Sequence, residues 1–347
     1  MPIYLAIDGG GTSTRCLLAD SDRVLARAST GSVKLMRVSE AEATARLHAM
    51  LAQAAAAAGV SLSQVSRTCF GLAGLTIPAV RAWATAAIAA QVSGPLLLCG
   101  DEEIALDAAF QGGPGILLIA GTGSNAIGRA PDGTLYGAGG WGPILGDQGA
   151  GTWIGLEAIR AALHSRDQEP PQPSSTSTQE SGAPSMTGSP SWVGSTNPEG
   201  TPSASLLTEV QRHWNLNSLA ELIELGNHRG DATRPAPDFA ALAPIVARCA
   251  EQGNDLAASV LRRAGEELAS LVTLVAHKLS VDSAPATSNL EPRTSNLEVA
   301  FTGSVLAHIA PVRAAMIAGL AKSIPAARVQ DSAVDPLEGA LWRARHP

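Results

Sequence analysis

The sequence predicts an α/β protein made of two lobes with a cleft between them, the second lobe repeating the first. Three observations carry this. An apolar strand, Ile3-Tyr4-Leu5-Ala6-Ile7, runs into Asp8 and then the turn Gly9-Gly10-Gly11-Thr12. A second apolar strand, Ile116-Leu117-Leu118-Ile119, runs into Gly121-Thr122-Gly123-Ser124. Between the two units the order is three strands, helix, strand, helix, strand, helix, and that order restarts at Ile116. Short aliphatic runs bounded by glycine read as buried strands. Two such halves facing each other place both turns on one cleft.

The elements follow in order. Leu17-Leu18-Ala19-Asp20 and Val24-Leu25-Ala26-Arg27 read as the next strands, joined near Ser21-Asp22. Strand, glycine turn and strand make a hairpin that can hold phosphate. It is not the dinucleotide fingerprint, because no helix follows the glycines, nor a Walker loop, because no Lys-Ser/Thr pair follows. Asp8 at the strand end is placed to face a metal ion; the same residues also fit a tight hairpin with an exposed Asp. A helix is expected from Ser39 to Gly59, with Ser39 as N-cap, Glu42 three residues later, and Gly59 closing it. Thr68 to Ala73 reads as a strand and Ile77 to Ala90 as a helix. Leu96-Leu97-Leu98-Cys99 is a further buried strand, and Asp101 follows it. Open α/β sheets place ligands at that end of a strand. Glu102 and Glu103 there favour the first turn of a helix.

The stretch from Ile116 to Gly149 is the richest in signals. After the GTGS turn come Gly139-Gly140-Trp141-Gly142 and Gly146-Asp147-Gln148-Gly149, and a helical pattern starts at GTWIGLEAIRAAL. Backbone N–H groups of glycine turns can point at an anion. The flat face of Trp141 beside the Asp147 carboxylate suits a sugar ring. A pair of glycine turns with Trp141 in the core is the plainer reading. Further helices are expected at Leu206 to Trp214, Ser218 to Leu225, Phe239 to Gln252 and Asp255 to Leu279. Val299 to Ser304 reads as a strand with a glycine turn, Val305 to Leu320 as a helix, and Asp335 to Arg345 as a last helix that Gly339-Ala340 lets pack closely. Asp167 to Ser203 is rich in Pro, Ser, Thr and Gly, and Ser283 to Glu298 holds a short duplication, TSNLE twice. Both are expected to be disordered loops.

The expected division is an N-terminal lobe over 1–113, with helix 335–345 packed on it, and a C-terminal lobe over 114–334 with a helical insert and loops 167–203 and 283–298. The 347 residues suffice for two domains, and 45% hydrophobic content suffices for their cores. Aromatics are only 3%, so Ala, Leu, Val and Ile must build those cores. The net charge of -7, with dispersed acidic residues, argues against nucleic-acid and anionic-membrane partners. No apolar run has membrane-span length and no signal segment opens the chain, so a cytoplasmic location is expected. Cys16, Cys69, Cys99 and Cys249 have no metal-ligand spacing and are expected to be buried thiols.

Asp8-Gly-Gly-Gly-Thr12, Gly121-Thr-Gly-Ser-Asn125, Gly139-Gly-Trp-Gly142, Gly146-Asp-Gln-Gly149 and Thr302-Gly-Ser304 together resemble the motifs of the N-acetylglucosamine kinases. Those belong to the BadF/BadG/BcrA/BcrD ATPase family of actin-like sugar kinases. The similarity covers about residues 3 to 345, apart from the two loops. It implies a duplicated ribonuclease-H-like fold with ATP and sugar in the cleft. By position, Gly9, Gly10, Gly11 and Thr12 would hold phosphates and Asp8 would bind Mg²⁺, mostly through water. Gly121, Thr122 and Gly123 would cradle the γ-phosphate, and Gly303 and Ser304 would flank the adenosine. Asp101 matches the catalytic base, and Asn125, Gly140, Trp141 and Asp147 fall where the family contacts its sugar. One departure stands out. The family usually carries an Asn in the loop after the third strand, where this chain has Gly31-Ser32-Val33-Lys34-Leu35.

The function these residues imply is ATP-dependent phosphorylation of the 6-hydroxyl of N-acetylglucosamine, with glucosamine as the competing substrate. Two other readings stay open at this point: an ATPase that activates a dehydratase through an iron–sulfur cluster, and a sugar sensor that does not turn over. A small-molecule amino sugar is the expected partner, and a homodimer is left open.

Overall fold

The computed structural model describes residues 1–168, 202–228, 230, 236–282 and 297–346. Its first five strands are β1 (Ile3–Gly9), β2 (Ser13–Ala19), β3 (Val24–Gly31), β4 (Val65–Leu72) and β5 (Leu96–Cys99). They form one sheet in the order β3-β2-β1-β4-β5. β1 and β2 are an antiparallel hairpin in which Asp8 faces Arg15 and Gly9 faces Thr14. β4 and β5 run parallel to β1, with Asp8 beside Gly71 and Gly71 beside Cys99. The carboxyl ends of β1, β4 and β5 therefore share one edge, which carries Asp8 and leads into Asp101.

The second sheet repeats this plan. β6 (Gly115–Ala120), β7 (Ser124–Arg129), β8 (Leu135–Gly139), β9 (Leu297–Thr302) and β10 (Ala327–Val329) are ordered β10-β9-β6-β7-β8. β6, β7 and β8 are antiparallel neighbours, while β9 runs parallel to β6 and β10 parallel to β9. Hairpin, third strand and two parallel strands thus occur twice. This is the two-lobed, duplicated ribonuclease-H-like arrangement.

Local chemistry explains the first-half helices. In α1 (Glu40–Ala58) the Ser39 hydroxyl accepts from Glu42 N at 3.3 Å, and Gly59 closes the helix at φ 67°. The Glu42 carboxylate pairs with Arg46 on the next turn. α2 (Pro78–Ala89) starts on a proline, whose missing N–H costs nothing there. α3 (Asp101–Phe110) carries three acidic residues in its first turn, favourable against the helix dipole.

α4 (Gly151–Gln168), α5 (Pro202–Trp214), α6 (Leu219–Asn227), α7 (Ala243–Glu251) and α8 (Asp255–Asp282) lie between β8 and β9 in sequence. They bury Ile154, Leu206, Leu222, Val246 and Leu268 in one cluster with Ile116, Leu118 and Phe301 of the second sheet. Two expected helices are broken. Phe239–Leu242 is a 3₁₀ turn ahead of α7, with Pro244 in the first turn of that helix. Val305 to Leu320 divides into α9 (Ser304–His308) and α10 (Ala310–Ser323), because Pro311 cannot supply an interior N–H. β10 was not expected. The loops expected over 167–203 and 283–298 fall outside the described residues except at their edges. There 167 and 168 end α4, 202 and 203 begin α5, and Leu297 and Glu298 open β9.

The last helix, α11 (Pro336–Arg345), packs back on the first sheet. Leu337, Ala340, Leu341 and Ala344 join Ala6, Leu17, Cys69 and Ile104 in one cluster. Gly339 permits this approach, since a Cβ there would stand 1.8 Å from Ile104 O. All four cysteines are buried free thiols. Among the described residues no helix is long and apolar enough to cross a membrane.

Candidate functional site

Both glycine turns open on one cleft of about 1620 Å³. Asp8, Gly10, Gly11, Thr12 and Asp101 line it from the first half. Gly121, Thr122, Gly123, Asn125, Gly140, Trp141, Asp147, Gly303 and Ser304 line it from the second. Gly9, expected with them, does not line it. A Cβ at Gly9 would lie 2.7 Å from Leu72 and 2.9 Å from Phe70, so this glycine serves packing of β1 on the core.

Asp8 is 9% exposed, which removes the exposed-hairpin reading. Its Oδ2 accepts from Arg15 Nη2 at 2.7 Å, and Arg15 also meets Asp335 Oδ1 at 2.9 Å. Burial raises the Asp8 pKa, and Arg15 opposes that rise. Neither Arg15 nor Asp335 was expected here. The hairpin register that sets Arg15 against Asp8 was the one usable signal. Asp335 arrives from a distant segment, as N-cap of α11.

Asp101 opens α3 at the end of β5. Its pKa is pushed up to about 7, first by burial, then by the hydrogen bond and negative charge of Glu102, then by Asp8. Two neighbours expected only to favour the helix start turn out to differ. Glu103 Oε1 accepts from Gly100 N at 3.1 Å and its Oε2 meets Arg343 Nη2 at 3.2 Å, a structural role. Both line the cleft, but Glu102 is the one whose hydrogen bond and charge raise the Asp101 pKa.

The Gly121–Gly123 turn is braced from behind. Gly151 N donates to Gly121 O at 2.8 Å and the Thr152 hydroxyl to Thr122 O at 3.0 Å, so the start of α4 sits under the turn. Gly303 adopts φ 97° and approaches so closely that a Cβ would be 2.3 Å from Ala120 O. The two segments thus adjoin at the second sheet's edge.

Beside them lies the Asn125–Asp147 group. Asn125 pairs with Gly139 across β7 and β8. Gly140 adopts φ 76° and donates its N–H to Ser124 O at 2.9 Å. Trp141 is 73% exposed, so it is not a core residue. The buried Asp147 adopts φ 58°, a left-handed conformation that Asp tolerates better than most residues. Its Oδ1 accepts from Gly142 N at 3.3 Å. Burial raises its pKa, against backbone hydrogen bonds and the charge of Lys34. Lys34 and Arg37 also line the cleft, and the sequence pattern marked neither. Among the described residues no three His, Cys, Asp or Glu side chains gather as a metal cluster.

A model of the BadF/BadG/BcrA/BcrD ATPase family matches residues 5–344. An N-acetylmuramic acid/N-acetylglucosamine kinase of Clostridium acetobutylicum is 33% identical over 170 residues, which is 48% of this chain and 56% of that protein. An N-acetyl-D-glucosamine kinase of Dictyostelium discoideum is 24% identical over 99% of this chain and 97% of its own length. The matched part of the Clostridium protein is thus about half of it, while the Dictyostelium match runs nearly end to end. Among solved structures, a Chromobacterium violaceum protein provisionally named an N-acetylglucosamine kinase superposes with a TM-score of 0.68, at 24% identity over 98% of both chains. A Streptomyces griseus glucokinase of the ROK family, solved with glucose and AMPPNP, gives a TM-score of 0.54 at 14% identity over 99% of this chain and all of that one. At these identities the structures speak for the fold.

Proposed function

The chain belongs to the BadF/BadG/BcrA/BcrD ATPase family, and from that premise we propose that it is an ATP-dependent amino-sugar kinase. The acceptor is the 6-hydroxyl of N-acetylglucosamine or glucosamine. The names of the Clostridium and Dictyostelium relatives support this reading. The observation that carries it is the cleft itself, with Asp101 on one wall and Asn125, Trp141 and Asp147 on the other, flanked by two glycine turns.

Phosphoryl transfer asks a protein for positioning and charge neutralisation more than for covalent help. In this reading the Trp141 face takes the sugar ring and Asp147 accepts its hydroxyls. Asp101 then accepts the hydroxyl proton as the oxygen attacks the γ-phosphorus of ATP, and ADP leaves. The N–H groups of Gly10–Thr12 and Gly121–Gly123 neutralise the phosphate oxygens from opposite sides. Gly303 and Ser304 flank the adenosine. Approach of the two lobes excludes water and limits idle hydrolysis.

Asp8 is the residue that would hold Mg²⁺. Its Oδ2 is engaged by Arg15, and its Oδ1, on the side of Gly10, takes no hydrogen bond among the described residues. Mg²⁺ keeps several waters and takes one or two carboxylates plus substrate phosphates, so a single carboxylate fits it. When bound, the ion adds positive charge against the phosphates. A cytoplasmic location, where ATP is available, belongs to this reading.

An iron–sulfur activator needs accessible cysteine ligands, and all four cysteines here are buried. The test of the kinase reading is a coupled ADP-release assay across amino sugars and plain hexoses. ADP release that depends on an amino sugar supports it. Release indifferent to sugar, or none, overturns it.

A further inference from the structure

Asp8, Arg15 and Asp335 all line the cleft, and the arginine joins the two carboxylates. Its Nη2 lies 2.7 Å from Asp8 Oδ2 and 2.9 Å from Asp335 Oδ1. Strand register fixes the first contact, because Arg15 stands opposite Asp8 in the β1–β2 hairpin. The second comes from the C-terminal segment, where Asp335 is itself held. Its Oδ1 accepts from Leu337 N at 3.2 Å as the N-cap of α11, and its Oδ2 stands 3.6 Å from Arg27 Nη1. Just before it, Val334 N donates to Phe301 O at 2.9 Å, and Val334 O accepts from the Thr302 hydroxyl at 2.9 Å. Asp335 is thereby fixed beside the end of β9 on one side and to Arg15 on the other. Arg27 also pairs with Glu338, so three carboxylates in this group share two guanidiniums. One negative charge is left for a cation.

A guanidinium facing a lone carboxylate commonly takes both of its oxygens in a two-point pair. Here Arg15 divides one nitrogen between two carboxylates, and Asp8 Oδ1 takes no hydrogen bond among the described residues. Resting on the kinase reading and its assignment of Mg²⁺ to Asp8, we propose that Asp335 is a positioning residue for the metal. It holds Arg15 off the second oxygen of Asp8 and so keeps that oxygen open. Without the Asp335 charge, the guanidinium is released to close on both oxygens and compete with the ion.

The test is Mn²⁺ binding to the full chain in the presence of ADP, read by electron paramagnetic resonance without turnover. Asp335→Asn and Asp335→Ser both keep an N-cap acceptor for α11, but neither carries a charge to hold the guanidinium. Each should weaken Mn²⁺ binding about tenfold, the effect of one charge-assisted hydrogen bond. Affinity for metal-free ADP should stay as in the wild type, and Asp335→Glu should restore most of the Mn²⁺ affinity. Because Asp335 acts through Arg15, Asp335→Asn should change nothing in an Arg15→Gln background. Unaltered Mn²⁺ affinity in both single variants would overturn this inference and leave the kinase reading standing. So would an equal loss with and without Arg15, which would make Asp335 act by its own charge. A parallel loss of metal-free ADP affinity would also overturn it, as the mark of a structural defect. A wild type that binds ADP but no Mn²⁺ would overturn it together with the metal role of Asp8. A wild type that binds neither would overturn the kinase reading as well.

Discussion

Asp107 Oδ1 lies 2.7 Å from Arg129 Nη2, and the side chains are 1% and 8% exposed. Asp107 sits on α3 and Arg129 ends β7, so this buried pair crosses from the first half to the second. Arg343 of α11 reaches the same carboxylate and also Glu103. Three elements therefore share one charge network at the end of α3, the helix that Asp101 begins. Removing one member of a buried pair leaves its partner charged and unsolvated, at a cost of roughly 3–5 kcal/mol. Asp107→Ala should lose stability on that scale in urea unfolding. A midpoint and slope like those of the wild type would contradict it.

The pH profile follows from Asp101. A base works only when deprotonated, and its pKa stands at about 7. The kcat/KM of the kinase should therefore fall as pH drops through about 7, in proportion to the deprotonated fraction. Glu102→Gln removes a cause of the elevation, so the acid limb should move to lower pH while turnover survives. A profile flat across neutrality, or a limb that Glu102→Gln leaves in place, would contradict this.

The same shift has a consequence for stability. The folded pKa of Asp101 lies above its ordinary 3.8, so folding favours the protonated form. Its contribution is fully present below 3.8 and is lost as pH rises toward about 7. Asp101→Asn is neutral at every pH. It should therefore melt at a higher temperature than the wild type above neutrality, and at a similar one in acid. The opposite order above neutrality would show that the carboxylate is stabilised where it sits.

Trp141 should matter to the sugar and little to the fold. It is 73% exposed, so Trp141→Ala removes little buried area. If the ring covers the sugar, its loss should raise the sugar KM roughly tenfold, about 1.4 kcal/mol of binding. Thermal unfolding should hardly move. A large fall in melting temperature with unchanged KM would reverse the assignment.

What the sequence showed, and what it hid, divides by range. Ile3–Thr12 and Ile116–Ser124 were legible because a short aliphatic run and a glycine turn are local signals. Asp101 was legible because it directly follows a buried strand. Gly9 read as one more phosphate residue, since only the packed position of Phe70 and Leu72 reveals its role. Asp335 reaches Arg15 across more than three hundred residues, and no pattern within the segment predicts that. β10 has three residues, too few to show a period. Pro311 was visible, but the apolar residues around it favoured one continuous helix.

The central claim is that Asp101 is the base of an amino-sugar kinase. The most direct measurement is kcat for N-acetylglucosamine-dependent ADP formation by wild type, Asp101→Asn and Glu103→Gln, with the phosphorylated product located by NMR. The account predicts phosphate on O6, a kcat for Asp101→Asn lower by roughly 10²- to 10⁴-fold, little change in ATP affinity, and most of the activity retained by Glu103→Gln. Near wild-type kcat in Asp101→Asn would contradict it.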